Sequence, residues 1–145
     1  MPTIVGYVAI LSPASAIRIT DCDRGRLDAC LAAPRTGFDG VDKYPNIATK
    51  SAALLYALAK GHPCQTGNKR LAYVVTIVFL TKNDWFLWED PDDVSAKVEE
   101  VEASDPKDPD GVRAELTIWI QERLIASAEA AVRLQAKISP GHHEA

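Results

Sequence analysis

The sequence predicts an all-α domain packed around one buried central helix, and three observations carry that prediction. The Ala-rich stretch Ile47–Lys60 sets Ile47, Leu54, Leu55 and Leu58 along one wide apolar stripe, directly after Asn46. The run Leu71–Leu80 is apolar almost throughout and follows a short polar loop. The sequence Asp90-Pro91-Asp92-Asp93 has the acid-and-proline signature of a helix start.

In chain order, Thr3–Leu11 is β-branched and apolar, and reads as a short strand or the first turns of a helix. Gly6 within it and Ser12-Pro13 after it lean towards the strand. Asp23 can cap a helix over about Arg24–Ala33, with Leu27, Cys30 and Leu31 on one face and Pro34 as its stop. Arg35–Pro45, which contains Gly37 and Gly40, is a loop or a small hairpin flap. Asn46 then opens the Ile47–Lys60 helix, for which Gly61 is the expected C-cap and Pro63 the block to continuation.

Leu71–Leu80 poses a conflict, because Tyr, Val, Ile and Phe favour strands. The run is long for a buried strand, however, and Asn68 has the character of an N-cap. A helix buried on nearly all sides explains the uniform apolarity and should end near Lys82-Asn83, with Asn83 as a left-handed cap. Trp85–Trp88 is an aromatic return segment, and Pro91–Ala103 is helical. After a Ser104–Gly111 surface loop, a last helix starts near Val112 with Leu116, Trp119, Ile120 and Leu124 inward. It continues through Ile125–Lys137, and residues 138–145 form a disordered tail.

A chain of 145 residues with 47% apolar and 25% charged residues is one ordinary globular domain, 1–145, able to bury a core. A net charge of −4 with no basic face excludes a nucleic-acid binder, and no stretch is long enough to span a bilayer. Cys22, Cys30 and Cys64 are odd in number and lack metal-type spacing. They are expected as small buried or half-buried thiols rather than a disulfide, in a reducing cytoplasm.

The chemistry gathers in His62-Pro63-Cys64-Gln65-Thr66-Gly67-Asn68-Lys69-Arg70, just before the apolar run. A loop feeding a helix N-terminus presents free N–H groups and the positive dipole end to an anion such as phosphate. His62 is the candidate base, since imidazole titrates near neutral pH. Gly67 admits a phosphate close to the backbone, and Asn68 either donates to phosphate oxygens or caps the helix. Lys69 and Arg70 can neutralise a transferring phosphoryl group, Arg as a fork and Lys as a point charge. The plain alternatives are a packing histidine at a helix end and a solvated cationic pair. Cations oppose the dipole there, which favours the functional reading. The spacing of Gly61, Gly67 and Lys69 is not that of a P-loop.

These residues resemble the Fic/death-on-curing (Fic/Doc) family, whose signature is His-Pro, an aromatic, an acid, then Gly-Asn-Lys-Arg or Gly-Asn-Gly-Arg. His62, Pro63, Gly67, Asn68, Lys69 and Arg70 fit it, and Lys69 is like the death-on-curing branch. Tyr44-Pro45 with Lys50–Ala59, and Phe79-Leu80 to Asn83, look like the family's flanking helices. The resemblance spans roughly residues 19–124 and implies a Fic-fold helical bundle with a central buried helix after the motif loop. Two positions depart from the family: Cys64 replaces the aromatic that anchors the loop, and Thr66 replaces the acid that holds magnesium. A hydroxyl contributes no charge, so Mg2+ affinity should fall, and the metal ligands are unknown from sequence.

The resemblance implies a death-on-curing toxin of a toxin–antitoxin system, a kinase or nucleotidyltransferase with ATP or another NTP as donor. It would transfer a phosphoryl group, in preference to a nucleotidyl group, to a Ser or Thr hydroxyl of a bacterial protein such as a translation elongation factor. His62 would be the base, Gly67 and Asn68 the anion hole, and Lys69 with Arg70 the phosphate clamp. Arg35–Tyr44 would be the flap that holds a target peptide. Tyr73 stands where self-inhibited members carry a second arginine, which implies inhibition by a separate antitoxin. The alternative is a catalytically degenerate Fic-fold protein that serves as a binding or regulatory module, motivated by Cys64 and Thr66.

Overall fold

The computed structural model describes residues 21–138, so the expected N-terminal strand and all but Ile138 of the expected tail lie outside the described residues. Six helices make up most of the described chain: α1 (Arg24–Ala32), α2 (Ile47–Gly61), α3 (Asn68–Lys82), α4 (Pro91–Glu102), α5 (Pro109–Gln121) and α6 (Ser127–Ile138). Two small antiparallel sheets accompany them, β1 (Gly37–Phe38) with β2 (Val41–Asp42), and β3 (Trp85–Leu87) with β4 (Leu124–Ala126). The mainly helical architecture with a small β flap matches the fold class that the sequence predicts.

Helix α2 is the hub, packed against α1, α3, α4 and α5. It starts with a complete capping box: Asn46 Oδ1 accepts from Thr49 N at 2.9 Å, and Asn46 N donates to Thr49 Oγ1 at 3.1 Å. Ala48, Ala52, Leu54, Leu55, Leu58 and Ala59 are buried, and small residues at several of these positions let neighbouring helices approach closely. Ser51 is fully buried and donates back to Ile47 O at 2.7 Å, which satisfies its hydroxyl within the helix.

Asp23 caps α1 as expected, its carboxylate accepting from Arg26 N at 2.8 Å. Only Leu27 and Cys30 of the expected face are buried; Leu31 is exposed. Pro34 sits in a 3-10 turn, Ala33–Arg35, that follows the helix. The flap forms a hairpin whose turn residues Asp39 and Gly40 have φ of 57° and 78°, the pair of left-handed conformations of a type I′ turn.

Helix α3 is central but not buried all round. Leu71, Ala72, Tyr73, Thr76 and Leu80 face inward, whereas Val78 is exposed. Its C-cap Asn83 has φ of −106°, and the left-handed residue is the next one, Asp84 at 65°. The sequence also predicts one continuous last helix, and here the fold differs. The chain leaves α5 at Gln121, and β4 pairs with the aromatic return segment in the register Trp85↔Ala126, Phe86↔Ile125, Leu87↔Leu124. A strand partner 37 to 41 residues away overrides the helix preference of an Ala-rich run. Among the described residues no helix is long and apolar enough to cross a membrane.

Candidate active site at the motif loop

The motif loop joins the C-terminus of α2 to the N-terminus of α3, and each end is set by a specific contact. Gly61 closes α2 as its last helical residue rather than capping it, and Cys30 Sγ sits beside it; a Cβ there would lie 2.8 Å from the sulfur. The left-handed C-cap conformation therefore falls on His62, at φ 43° and ψ 60°. A side chain held in that region is uncommon, although His is among the residues that visit it. Lys60, one residue earlier, donates to Glu102 O at 3.1 Å and Ser104 O at 2.5 Å. It thereby neutralises the carbonyl end of α4 and fixes that helix terminus beside the loop.

The loop is further held from the α1 side. Asp23 N donates to Pro63 O at 2.7 Å and Gln65 N to Asp21 O at 3.1 Å, an antiparallel bridge centred on Cys22 and Cys64. Across that bridge Cys22 and Cys64 form a disulfide, while Cys30 remains a buried free thiol. The expectation of three unpaired cysteines is thus corrected. A covalent link occupies the anchoring position. Forty-two residues separate the two cysteines, so only the fold brings them together.

Asn68 does not cap α3. Gly67 is the N-cap, at φ 75°, a conformation glycine adopts without cost. The Asn68 side chain turns back into the loop: Oδ1 accepts from Cys64 N at 2.9 Å, and Nδ2 donates to Cys64 O at 2.7 Å. The same Nδ2 lies 3.3 Å from His62 Nδ1. With Nδ1 accepting from the amide, the neutral imidazole carries its proton on Nε2, which lies 3.5 Å from Glu102 Oε2. Buried Asn68 thus fixes the orientation of a ring that is itself half exposed.

The first turn of α3 has no side-chain cap and no acidic residue, and among the described residues, the chain neighbours of Gly67 aside, no atom lies within 4 Å of where a Gly67 Cβ would stand. Without a side-chain cap the first N–H groups of α3 have no side-chain acceptor at the N-cap, the arrangement that accepts an anion. Lys69 Nζ is engaged by Glu99 Oε1, and Arg70 is exposed. Glu99 and Glu102, three residues apart on α4, therefore reach Lys69 and His62 respectively. Beside His62 opens a cavity of about 440 Å³ lined by Asp21, Asp23, Arg26, Pro63, Gln65 and the disulfide.

The structure therefore brings His62, Gly67 and Asn68 together, turns Lys69 towards α4 and leaves Arg70 at the surface. Sequence reading missed Glu99, Glu102 and Cys22. The two glutamates were visible at helical spacing, but nothing local aimed them at the motif. The motif loop itself offers no carboxylate for magnesium. Thr66, at the acid position, is exposed and neutral, and among the described residues no three His, Cys, Asp or Glu side chains cluster to hold a metal.

The family model described as Fic/DOC family matches residues 9–80. Toxin Doc of Mycolicibacterium smegmatis is 46% identical over 61 residues, which cover 42% of this chain and 47% of that protein. The chain thus spans less than half the length of the curated relative it matches. No solved structure matches the chain.

Proposed function

The chain belongs to the Fic/DOC family, and on that premise we propose that it is a Doc-type toxin. It transfers a phosphoryl group from ATP or another NTP to a Ser or Thr hydroxyl of a bacterial protein in the cytoplasm, a translation elongation factor being the target class. An antitoxin protein is its inhibitory partner. The observation that carries the reading is the juxtaposition of the oriented His62 imidazole with the uncapped N-terminus of α3, across Asn68. One supplies a proton acceptor and the other a cradle for phosphate oxygens.

The residues divide the work as follows. Asn68 holds the loop closed and the imidazole in one orientation. The α3 N–H groups and the Gly67 opening receive the donor phosphates, and Arg70 adds charge at the same helix end. The His62 ring, which faces solvent on one side, takes the proton of the attacking hydroxyl as the phosphoryl group moves. To do so it must present an unprotonated nitrogen, so Asn68 releases Nδ1, which then either accepts the proton itself or takes up a proton while Nε2 gives up its own past Glu102. Lys69 joins the clamp once the incoming phosphates displace Glu99. Catalysis rests on positioning and electrostatics, as phosphoryl transfer generally does. No step is assigned to a protein-bound metal.

The test is transfer of label from γ-labelled and α-labelled ATP to proteins of a bacterial extract, with His62→Ala beside the wild type. Label from the γ position alone, dependent on His62, is the expected result. No His62-dependent label from either position would overturn the transfer reading and leave the binding-module alternative, which Thr66 favours.

A further inference from the structure

The link between Cys22 and Cys64 closes on the motif itself. Cys64 is two residues from His62, and its own N–H and C=O are the two backbone partners of Asn68. Whatever holds Cys64 in place therefore holds Asn68, and through it the imidazole. The bond is not what keeps α1 on the domain, because Leu27 and Cys30 bury that helix against the core independently. The bond is thus a covalent anchor of the loop, added to its backbone bridge and the Asn68 contacts.

The two sulfurs differ in access. Cys64 is buried, whereas Cys22 is only partly buried and both line the cavity beside His62. Arg26 stands on the same wall and favours an approaching thiolate. A chain kept in a reducing compartment carries disulfides that are transient or sensing rather than structural.

We propose that the Cys22–Cys64 disulfide is a redox-modifiable site, opened by a cellular dithiol, whose state sets how firmly the motif loop is held. A thiolate of the dithiol attacks Cys22 Sγ and expels Cys64 as thiolate. The second thiol of the dithiol then attacks the mixed disulfide, releases Cys22 and leaves the reductant as a disulfide. Two electrons pass to the protein sulfurs, and the two protons of the dithiol end on the cysteines. In the reduced form the loop keeps its backbone bridge and the Asn68 contacts but loses its covalent anchor. The proposal goes beyond the transfer reading and does not depend on it.

The test uses the full chain and Cys22→Ser, equilibrated in buffers of graded oxidised and reduced dithiothreitol. Thiols are trapped by acid and alkylated in denaturant, because Cys30 is buried and desolvation raises its pKa against the opposing pull of Arg26. The wild type should pass from one reactive thiol, Cys30, to three within the range of cellular dithiol couples. Hydrogen exchange at His62–Lys69 should quicken at least about tenfold on reduction, and equally in Cys22→Ser, with the interiors of α2 and α3 unchanged. Three thiols in every buffer, one thiol in every buffer, unchanged loop exchange or a rise spread over all helices would each overturn it. Neither readout needs a nucleotide, so a failure of label transfer leaves this result standing.

Discussion

Cys30 Sγ rests against the α-carbon of Gly61 and donates to Ala57 O at 3.3 Å, so that one thiol from α1 seals the last turn of α2. This contact lies where the chain turns into the motif loop. A methyl group at position 61 would meet the sulfur at 2.8 Å, and the sulfur has little room to retreat within the core. Gly61→Ala should therefore destabilise the domain by about 1–2 kcal/mol despite the better helix propensity of alanine. In a Cys30→Ala background the clash is gone, and the same substitution should become neutral or stabilising by up to about 1 kcal/mol. Urea unfolding of the four proteins of the cycle measures both signs. Destabilisation that persists without the sulfur would show that Gly61 is required for another reason.

That contact also marks where sequence reading stops. Local signals placed α1, α2 and α4 well, because Asp23, Asn46 and Asp90 act as caps within two or three residues of their partners. The flap was legible from Gly37 and Gly40, and the central helix from its long apolar run. What failed depends on residues distant in sequence. Gly61 has the chemistry of a C-cap, yet the left-handed cap conformation falls on His62 and the space beside Gly61 is taken by Cys30 from another helix. Asn68 has N-cap chemistry, yet its amide is drawn back to Cys64 and His62. Leu124–Ala126 reads as helix in isolation and pairs with β3 instead. The motif residues named the family, while the glutamates and the disulfide that surround them emerged only from the packing.

Asn68 carries the loop on three contacts from one buried amide. Asn68→Ala orphans the N–H and the C=O of Cys64 inside the loop. The loss should be about 1–3 kcal/mol for each group that water does not reach, and the His62 ring should lose its fixed tautomer. Chemical denaturation gives the first quantity, and imidazole nitrogen chemical shifts give the second. An unchanged tautomer population would mean that Glu102 alone orients the ring.

Glu99 occupies Lys69 at the helix end where an anion is expected. Both side chains are about half exposed, so the pair itself stabilises the fold by no more than about 0–1 kcal/mol. Its larger consequence is competition with phosphate. Glu99→Gln should leave stability nearly unchanged and tighten ATP binding by about two- to fivefold at low salt, with the gain shrinking as salt rises. Isothermal titration at two ionic strengths checks it. Weaker binding in the variant would mean that Glu99 positions Lys69 instead of blocking it.

Glu89 links the β3–β4 sheet to α5 and gives the fold a definite acid sensitivity. Its carboxylate accepts from Arg123 Nε at 2.7 Å, while the Arg123 guanidinium lies 4.2 Å from the centre of the Trp119 ring and donates to Trp119 O at 2.9 Å. Burial pushes the Glu89 pKa up, but the hydrogen bond from Asp90 N–H and the nearby Arg123 outweigh it and hold the value below that of a free glutamate. A carboxyl depressed in the folded state contributes stability that is complete above its unfolded pKa, about 4.3, and is lost as pH falls through its lower folded pKa. Glu89→Gln should therefore be less stable than the wild type at pH 7, and the difference should narrow below about pH 4. Thermal unfolding of both proteins from pH 7 to pH 3 measures the convergence. A gap that stayed constant across that range would assign the cost to lost packing around Trp119, with no contribution from the charge on Glu89.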